Sequence, residues 1–460
     1  MRKTTMCVVI GMAVSAACGG DDGPPDPPVP DGLTAVVTIP ATPNRALDLL
    51  LVVDDSGGTI QQQTALRETL TPFINVINTA VGGLPDVHIG VVTANVGTGG
   101  VEIGGCSTAT APEGDDGAFQ TNSCPGLQAA YVEDLKNADG TRRRNYSGDL
   151  SALLGCMVNL GSTGCGFEAP LESMKRALSP GRNPGFLRPD AVLGVLILTD
   201  EDDCSALPGG ALFGDPNASN TSPLGPRTSF RCFEFGVQCD DDPDPRAFGT
   251  KTGCVPRVDS PYMPTVQPYV DFLRGLKASP SAVVVSGLIG DVDAQRSAVV
   301  AADAGDATRP ALYGSCSSIR GEAAPGLRLR SFLDGFADRG LGSSICADTL
   351  IPAVETFAER LLSALGSPCI TQTLADVDAA TPGLQPRCEV TQYTLTSGTR
   401  TDPVTIPACT VDGTLPCWQL DDALAECSFS SADQALVIAR DGAAPAGTEI
   451  EARCQVVTGT

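Results

Sequence analysis

Apolar residues in this chain fall into short unbroken runs that alternate with stretches of helical spacing. Leu47 to Val53 and Val87 to Ala94 read as the first two strands, and Val192 to Leu198 and Val283 to Ile289 as later ones. Their lack of polar alternation asks for cover on both faces, as in a buried parallel sheet. Between the first two strands, Ile60 to Ala80 places Leu66, Leu70, Phe73, Ile74 and Ile77 on one helical stripe. Leu150, Leu153, Leu154 and Met157 make a second stripe, and Phe167, Leu171, Met174 and Leu178 a third, with the loop Gly161 to Gly166 between them. Val270, Leu273 and Leu276 precede the fourth strand, while Leu350, Val354, Phe357, Leu361 and Leu365 mark a closing helix. Strand and helix in alternation predict an α/β domain with a doubly wound, mostly parallel, Rossmann-like sheet.

Two segments interrupt that plan, at about 97–145 and 205–264, both rich in Gly, Pro, Asp and Cys. They read as disulfide-bearing surface insertions within an α/β domain spanning 33–368. From Cys369 to the last residue, short strand-like runs broken by Pro, Gly and Asp predict a small β-rich module stapled by disulfides. At the other end, Met1-Arg2-Lys3 followed by the apolar stretch Met6 to Ala17 reads as a signal peptide over 1–17. Such a stretch is too short to span a bilayer. Ser15-Ala16-Ala17-Cys18 resembles a lipoprotein cleavage site, with Cys18 as the lipidated residue. Ser15 stands where a branched apolar residue is usual, so ordinary secretion stays open. The tether at 18–32, rich in Pro and Asp, cannot form a core and suits spacing a domain from a membrane.

Composition sharpens this picture. The chain has 18 cysteines. Loss of Cys7 with the signal and lipidation of Cys18 leave an even number in local clusters, which fits a disulfide framework in an oxidising compartment. Zinc is disfavoured, because there is no CxxC pair and only one histidine. The formal net charge of −24 makes nucleic acid an unfavourable partner. Expected, then, is an exported protein of the outer membrane or cell surface, or alternatively a periplasmic or secreted one, touching the membrane only through its lipid.

The chemistry gathers at the strand ends. Leu47 to Val53 runs into Asp54-Asp55-Ser56, and Val192 to Leu198 into Thr199-Asp200-Glu201-Asp202-Asp203. Ligands of open α/β sheets bind outside the carboxyl ends of the strands, so both acidic tips face one crevice. Two ionised carboxylates about 5 Å apart repel by roughly 3 kcal/mol at an effective dielectric near 20, a cost that a hard divalent cation would remove. Val53-Asp54-Asp55-Ser56-Gly57-Gly58 resembles the DxSxS metal motif of von Willebrand factor type A (vWA) domains, and Leu198-Thr199-Asp200 resembles the strand end that carries that family's distal aspartate. Thr163, in a Gly-rich loop before a helix, matches the third element. The resemblance implies a metal-ion-dependent adhesion site (MIDAS) in which Asp54, Ser56, Thr163 and Asp200 hold Mg2+, or Mn2+ or Ca2+, and a carboxylate of a protein partner takes the open position. Asp55, Thr59, Glu201 and Asp202 stand around these ligands, and Glu201, Asp202 and Asp203 offer a place for a second cation. Gly58 departs from the motif by replacing its second serine, and Thr59 carries a hydroxyl at the wrong spacing.

Other motifs fail on their own chemistry. Asp240 to Asp244 suggests a calcium loop, but Pro245 occupies the turn-glycine position and Lys251 that of the bidentate glutamate. Asp55-Ser56-Gly57-Gly58 echoes a protease nucleophile loop, yet the single histidine, His88, lies inside a strand. Gly97 to Gly100 lacks the third glycine and the following helix of a dinucleotide site. Arg142-Arg143-Arg144 is a local patch suited to salt bridges. The expected function is therefore binding or adhesion, without catalysis. The alternative is a structural cell-envelope scaffold whose degenerate vWA-like domain holds no metal, a reading that Gly58 favours.

Overall fold

The computed structural model describes residues 34–457, apart from 41–43, 81, 241–242, 371, 379, 397–398, 411–412, 422–426, 428–433 and 446. The expected signal peptide over 1–17, Cys18 and the expected tether at 18–32 lie outside the described residues, as do Asp241 and Asp242 of the rejected calcium loop. The described chain is a mixed α/β structure with several sheets, the largest of seven strands.

That sheet comprises β1 (Ala46–Val53), β2 (Asp86–Thr93), β3 (Val132–Lys136), β4 (Arg142–Arg144), β5 (Val192–Leu198), β6 (Val283–Ile289) and β7 (Gly340–Ser344), in the order β7-β6-β5-β1-β2-β3-β4. The pairs β1–β2, β1–β5, β5–β6 and β6–β7 are parallel, whereas β3 runs antiparallel to β2 and β4 antiparallel to β3. Alternate side chains of each central strand enter two different cores. Leu47, Leu49, Leu51 and Val53 pack with α1 (Ile60–Ile77), α2 (Leu150–Met157) and α7 (Ile351–Leu365). Leu50 and Val52 pack instead with α3 (Pro170–Leu178), α5 (Gln267–Gly275) and α6 (Leu327–Asp334). Two-sided cover is the physical reason these strands show no polar alternation.

One polar residue breaks that pattern. Asp48 in β1 is fully buried and accepts hydrogen bonds from the Arg188 amide at 2.7 Å and the Arg188 Nε at 2.8 Å, with Lys277 Nζ at 3.3 Å. These partners stabilise a charge that burial alone would expel.

The insertions are more than surface loops. The first supplies β3 and β4 to the sheet, and its arginine run is β4, with Arg142 and Arg144 paired to the buried Asp134 and Arg143 to Glu133. The second contains α4 (Phe230–Gly236), where buried Arg231 donates to the carbonyl oxygens of Leu212, Gly214, Gly225 and Pro226 and so gathers a loop with little apolar content of its own. Thr34–Pro40, expected at the start of the α/β domain, instead pairs antiparallel with Thr448–Gln455. The C-terminal β sheet thus takes an edge strand from the opposite end of the described chain, because that strand completes a ladder there. It shares one core with a three-stranded sheet of Cys369–Ile370, Gln434–Ala439 and Cys417–Asp421, a core that includes Ile370, Val390, Trp418, Leu436 and Ile450.

The cysteines pair within the clusters that their spacing predicts: 106–165, 124–156, 204–232, 239–254, 316–346, 369–427, 388–454 and 409–417.

Candidate functional site

The parallel register sets Val53 beside Leu198, so the residues that follow them emerge side by side where the sheet order reverses. The Asp54 amide donates to the Leu198 carbonyl at 2.9 Å, extending the pairing one residue past the strand. Asp54 is fully buried. Its Oδ1 accepts the Ser56 amide at 2.7 Å, and its Oδ2 accepts the Thr199 hydroxyl at 3.0 Å. Gln63 of α1 donates through Nε2 to the carbonyl oxygens of Asp54 at 2.8 Å and Gly161 at 2.7 Å, while the Gly161 amide returns a bond to Gln63 Oε1 at 3.2 Å. One buried amide side chain therefore clamps the Asp54 loop to the 161–166 loop.

Asp200 joins Asp54 directly: the two carboxyl groups lie within hydrogen-bonding reach of each other. Burial raises the Asp54 pKa, against hydrogen bonds from Ser56 and Thr199 that act to lower it. Burial, then the charges of Asp54 and Glu201, push Asp200 up to about 8. Asp55 is pushed up to about 7 by burial first and by Asp54 and Asp115 next. Glu201 rises to about 7 through burial and Asp54, and Glu168 rises well above the usual range through burial and then Glu201. Among the described residues, none of these five acids forms an ion pair with Lys, Arg or His; nearby Arg328 is committed to Asp203.

The expected ligands are not all placed alike. Ser56 is buried beside Asp54. Thr163 is exposed on its loop, between residues that touch the Asp54 loop: the Gly164 amide donates to the Asp55 carbonyl at 2.7 Å, and a Cβ on Gly57 would sit 4.0 Å from the Ser162 carbonyl oxygen. A Cβ on Gly164 would come within 2.2 Å of Asp55 Oδ1, so the loops can approach this closely only with glycine there. Thr59 is buried and donates to the Ser56 carbonyl at 3.0 Å, a turn contact. A Cβ on Gly58 would lie 3.3 Å from Asp200 Oδ2, so the missing serine faces the second carboxylate.

Two expectations need correction. Asp202 does not stand by the Asp54 site: its oxygens accept the Arg328 and Leu329 amides at 2.9 to 3.1 Å, capping the N-terminus of α6. Asp203 is buried against the Arg328 guanidinium at 3.1 Å. The cation position suggested for Glu201, Asp202 and Asp203 together is thereby dissolved, since two of the three are already neutralised or capped. Sequence reading also missed Glu168, which is 2 % exposed and faces the same acidic group. Its only signal was one acid in the apolar stretch Phe167 to Leu171.

His88 lies far from Ser56. It stands opposite Asp48, roughly 16 Å of strand from the end that leads into the serine loop, and its Nδ1 meets the Phe186 carbonyl oxygen at 2.7 Å.

Oxygen donors without a basic neighbour suit a hard divalent cation rather than a soft or redox metal. Among the described residues, no three His, Cys, Asp or Glu side chains assemble as a metal-ligating group. The candidate set is a different kind, two carboxylates supplemented by hydroxyls.

No family model matches the chain, and no curated protein does. Among solved structures, it is similar to the open conformation of the pilus adhesin SpaC of Lactobacillus rhamnosus GG, with a TM-score of 0.31 and 11% identity over 92% of this chain and 41% of that one. It is also similar to the conserved hypothetical protein BatB of Bacteroides thetaiotaomicron (TM-score 0.26, 9% identity, 69% of this chain and 98% of that one). The minor pilin PilB of Streptococcus sanguinis gives a TM-score of 0.29 at 11% identity over 70% of this chain and 62% of its own. The chain spans well under half of SpaC and less than two thirds of PilB. At these TM-scores the likenesses fix neither a family nor an activity.

Proposed function

We propose that this chain is an exported, non-catalytic binding protein, held at the outer membrane or cell surface by a lipid on Cys18. In this reading its α/β domain is of vWA type and engages a carboxylate of a protein partner through a divalent cation. The observation that carries the reading is the contact between the Asp54 and Asp200 carboxyl groups at the sheet's switch point, with no basic group to neutralise them among the described residues. The parallel order β6-β5-β1-β2 supports the fold assignment, and the eight disulfides among the described residues fit an oxidising compartment. Among the described residues, no helix is long and apolar enough to cross a membrane.

Asp54 and Asp200 would hold the ion with the Ser56 and Thr163 hydroxyls, and water would stand in for the hydroxyl missing at Gly58. The bound cation supplies an open coordination position that a partner carboxylate can fill. Gln63 and Gly164 hold the two ligand-bearing loops together. Thr199 orients Asp54.

A metal-free envelope scaffold is the second reading, favoured by Gly58 and by the exposed position of Thr163. The two separate in thermal melting of the full chain and Asp54→Asn, each with Mg2+, Mn2+ or EDTA. A cation-dependent rise in melting temperature that the variant lacks supports the binding site; identical curves for both proteins support the scaffold. Chelator-sensitive capture from the native envelope would then identify the partner.

A further inference from the structure

A cavity of about 440 Å³ opens at the carboxyl ends of β6 and β7, on the same crest of the sheet as Asp54 but toward the β7 edge. Asp291 and Asp293 line it from the chain leaving β6, Ser343 from the end of β7, Arg330 from α6, and Ser315 from the start of the hairpin that pairs Cys316–Ser318 with Gly321–Ala323. Among the described residues, Arg330 pairs with Asp334 alone, Nε to Oδ1 at 2.8 Å, so its terminal nitrogens have no acceptor. Neither Asp291 nor Asp293 forms an ion pair among these residues; Asp293 Oδ1 accepts the Ser297 amide at 2.8 Å. Opposite charges thus line one space without meeting. Its walls are fixed. A Cβ on Gly342 would stand 2.8 Å from Arg330 Nη1, so glycine there lets the guanidinium lie against β7. Asp334 Oδ2 accepts Arg296 Nη2 at 2.7 Å, and one acid therefore holds both Arg330 and the loop that follows Asp293. The Cys316–Cys346 disulfide ties the hairpin beside Ser315 to the chain just past Ser344.

We infer that this cavity binds a small zwitterion of amino-acid to dipeptide size, its carboxylate on the Arg330 guanidinium and its ammonium group on Asp291 and Asp293. The charges select that class. A free anion gains Arg330 but meets two aspartates, and a divalent cation gains the aspartates but meets the guanidinium. A ligand that carries both charges satisfies both ends with charge-assisted hydrogen bonds. The Ser315 and Ser343 hydroxyls supply neutral partners for the polar atoms between those ends. The volume lies within the roughly 300–1,000 Å³ typical of small-molecule sites. Walls held by Asp334 and by a disulfide are in place before the ligand arrives, which lowers the ordering cost of binding.

No metal takes part, so the inference stands apart from the Asp54 reading and is tested in EDTA. Saturation-transfer NMR on the disulfide-intact full chain follows four probes: alanine, alanyl-alanine, N-acetyl-alanyl-alanine, which lacks the ammonium group, and alanyl-alanine amide, which lacks the carboxylate. Saturation transfer to alanine or alanyl-alanine is expected, with binding about tenfold weaker for either capped form. Asp291 and Asp293 are exposed and Arg330 half-buried, so substitutions there should leave the melting temperature unchanged. Arg330→Gln should weaken alanyl-alanine about tenfold and leave its amide as it was. The double variant Asp291→Asn, Asp293→Asn should weaken alanyl-alanine at least as much and leave the acetylated form as it was. Absence of transfer to both free probes in the unaltered protein would overturn the inference. So would a capped form that binds as tightly as free alanyl-alanine, a result that needs no variant to fold, or unchanged binding of alanyl-alanine in either variant.

Discussion

The Thr199 hydroxyl stands 3.0 Å from Asp54 Oδ2 and joins the carboxyl ends of β5 and β1 through side chains as well as backbone. Thr199 is fully buried, and its single proton has one other acceptor within reach, the Glu201 carbonyl oxygen at 3.2 Å. Thr199→Val keeps the shape and removes the donor. A hydrogen bond to a charged group contributes about 1.5–3 kcal/mol, so urea unfolding with Mg2+ present should show a loss of that order. The unfolding midpoint should fall less in EDTA, where Asp54 is free to hold a proton. An equal loss under both conditions would deny Thr199 its orienting role.

Gly58 has an ordinary backbone conformation, so a side chain there meets no φ penalty. Gly58→Ser places a Cβ 3.3 Å from Asp200 Oδ2, tight enough to require a shift of a few tenths of an ångström. It also returns a hydroxyl to the place where the DxSxS pattern expects one. If Asp54 and Asp200 hold an ion, calorimetric titration with Mg2+ should show roughly tenfold tighter binding, about 1.4 kcal/mol. Unchanged or weaker binding would mean that the crevice does not present its ligands to that position.

Legibility followed the range of the forces involved. The runs Leu47 to Val53 and Val192 to Leu198 announce themselves because both faces of the sheet are covered, and the acidic tips follow from where those runs stop. The local cysteine pairs were readable for the same reason of proximity. What escaped depends on partners distant in the chain. Asp48 looks like an anomaly until Arg188 and Lys277 are seen to meet it. Asp202 and Asp203 look like part of an acidic site until α6 arrives with two free amides and the Arg328 guanidinium. The strand Thr34–Pro40 carries nothing in its own residues that names Thr448–Gln455 as its neighbour.

Arg328 offers a test of how the second insertion is fixed. Arg328 and Asp203 are both fully buried, and the guanidinium also donates to the carbonyl oxygens of Gly236 at 3.2 Å and Pro264 at 3.0 Å. Arg328→Met leaves Asp203 charged and unpaired, a situation that typically costs 3–5 kcal/mol. Chemical denaturation should show about that loss, and proteolysis should open the insertion near Pro264 first. The double variant Arg328→Met, Asp203→Asn should recover part of the stability, because no buried charge is left without a partner. Failure of that recovery would mean that the carbonyl contacts, not the ion pair, hold the insertion.

The acidic crevice fixes the sign of the pH dependence. The carboxyl groups of Asp54, Asp55, Glu168, Asp200 and Glu201 are all raised in the folded state, chiefly by burial, with Asp55 and Glu201 near 7 and Asp200 near 8. Unfolded, they lose their protons near pH 4. Between about pH 4 and pH 8 the folded, metal-free chain therefore holds more protons than the unfolded one, and stability must fall as pH rises. In EDTA the melting temperature should drop by roughly 5 °C or more from pH 5 to pH 8, taking about 2–4 °C per kcal/mol. A divalent cation competes with those protons, so its binding should strengthen over the same interval and release them. With saturating Mn2+ the fall should flatten or reverse. Melting curves recorded across this range with and without Mn2+ check both halves of the argument. A metal-free protein whose stability rises toward pH 8 would show that these acids are already ionised and compensated in the fold, leaving the cation no charge to neutralise.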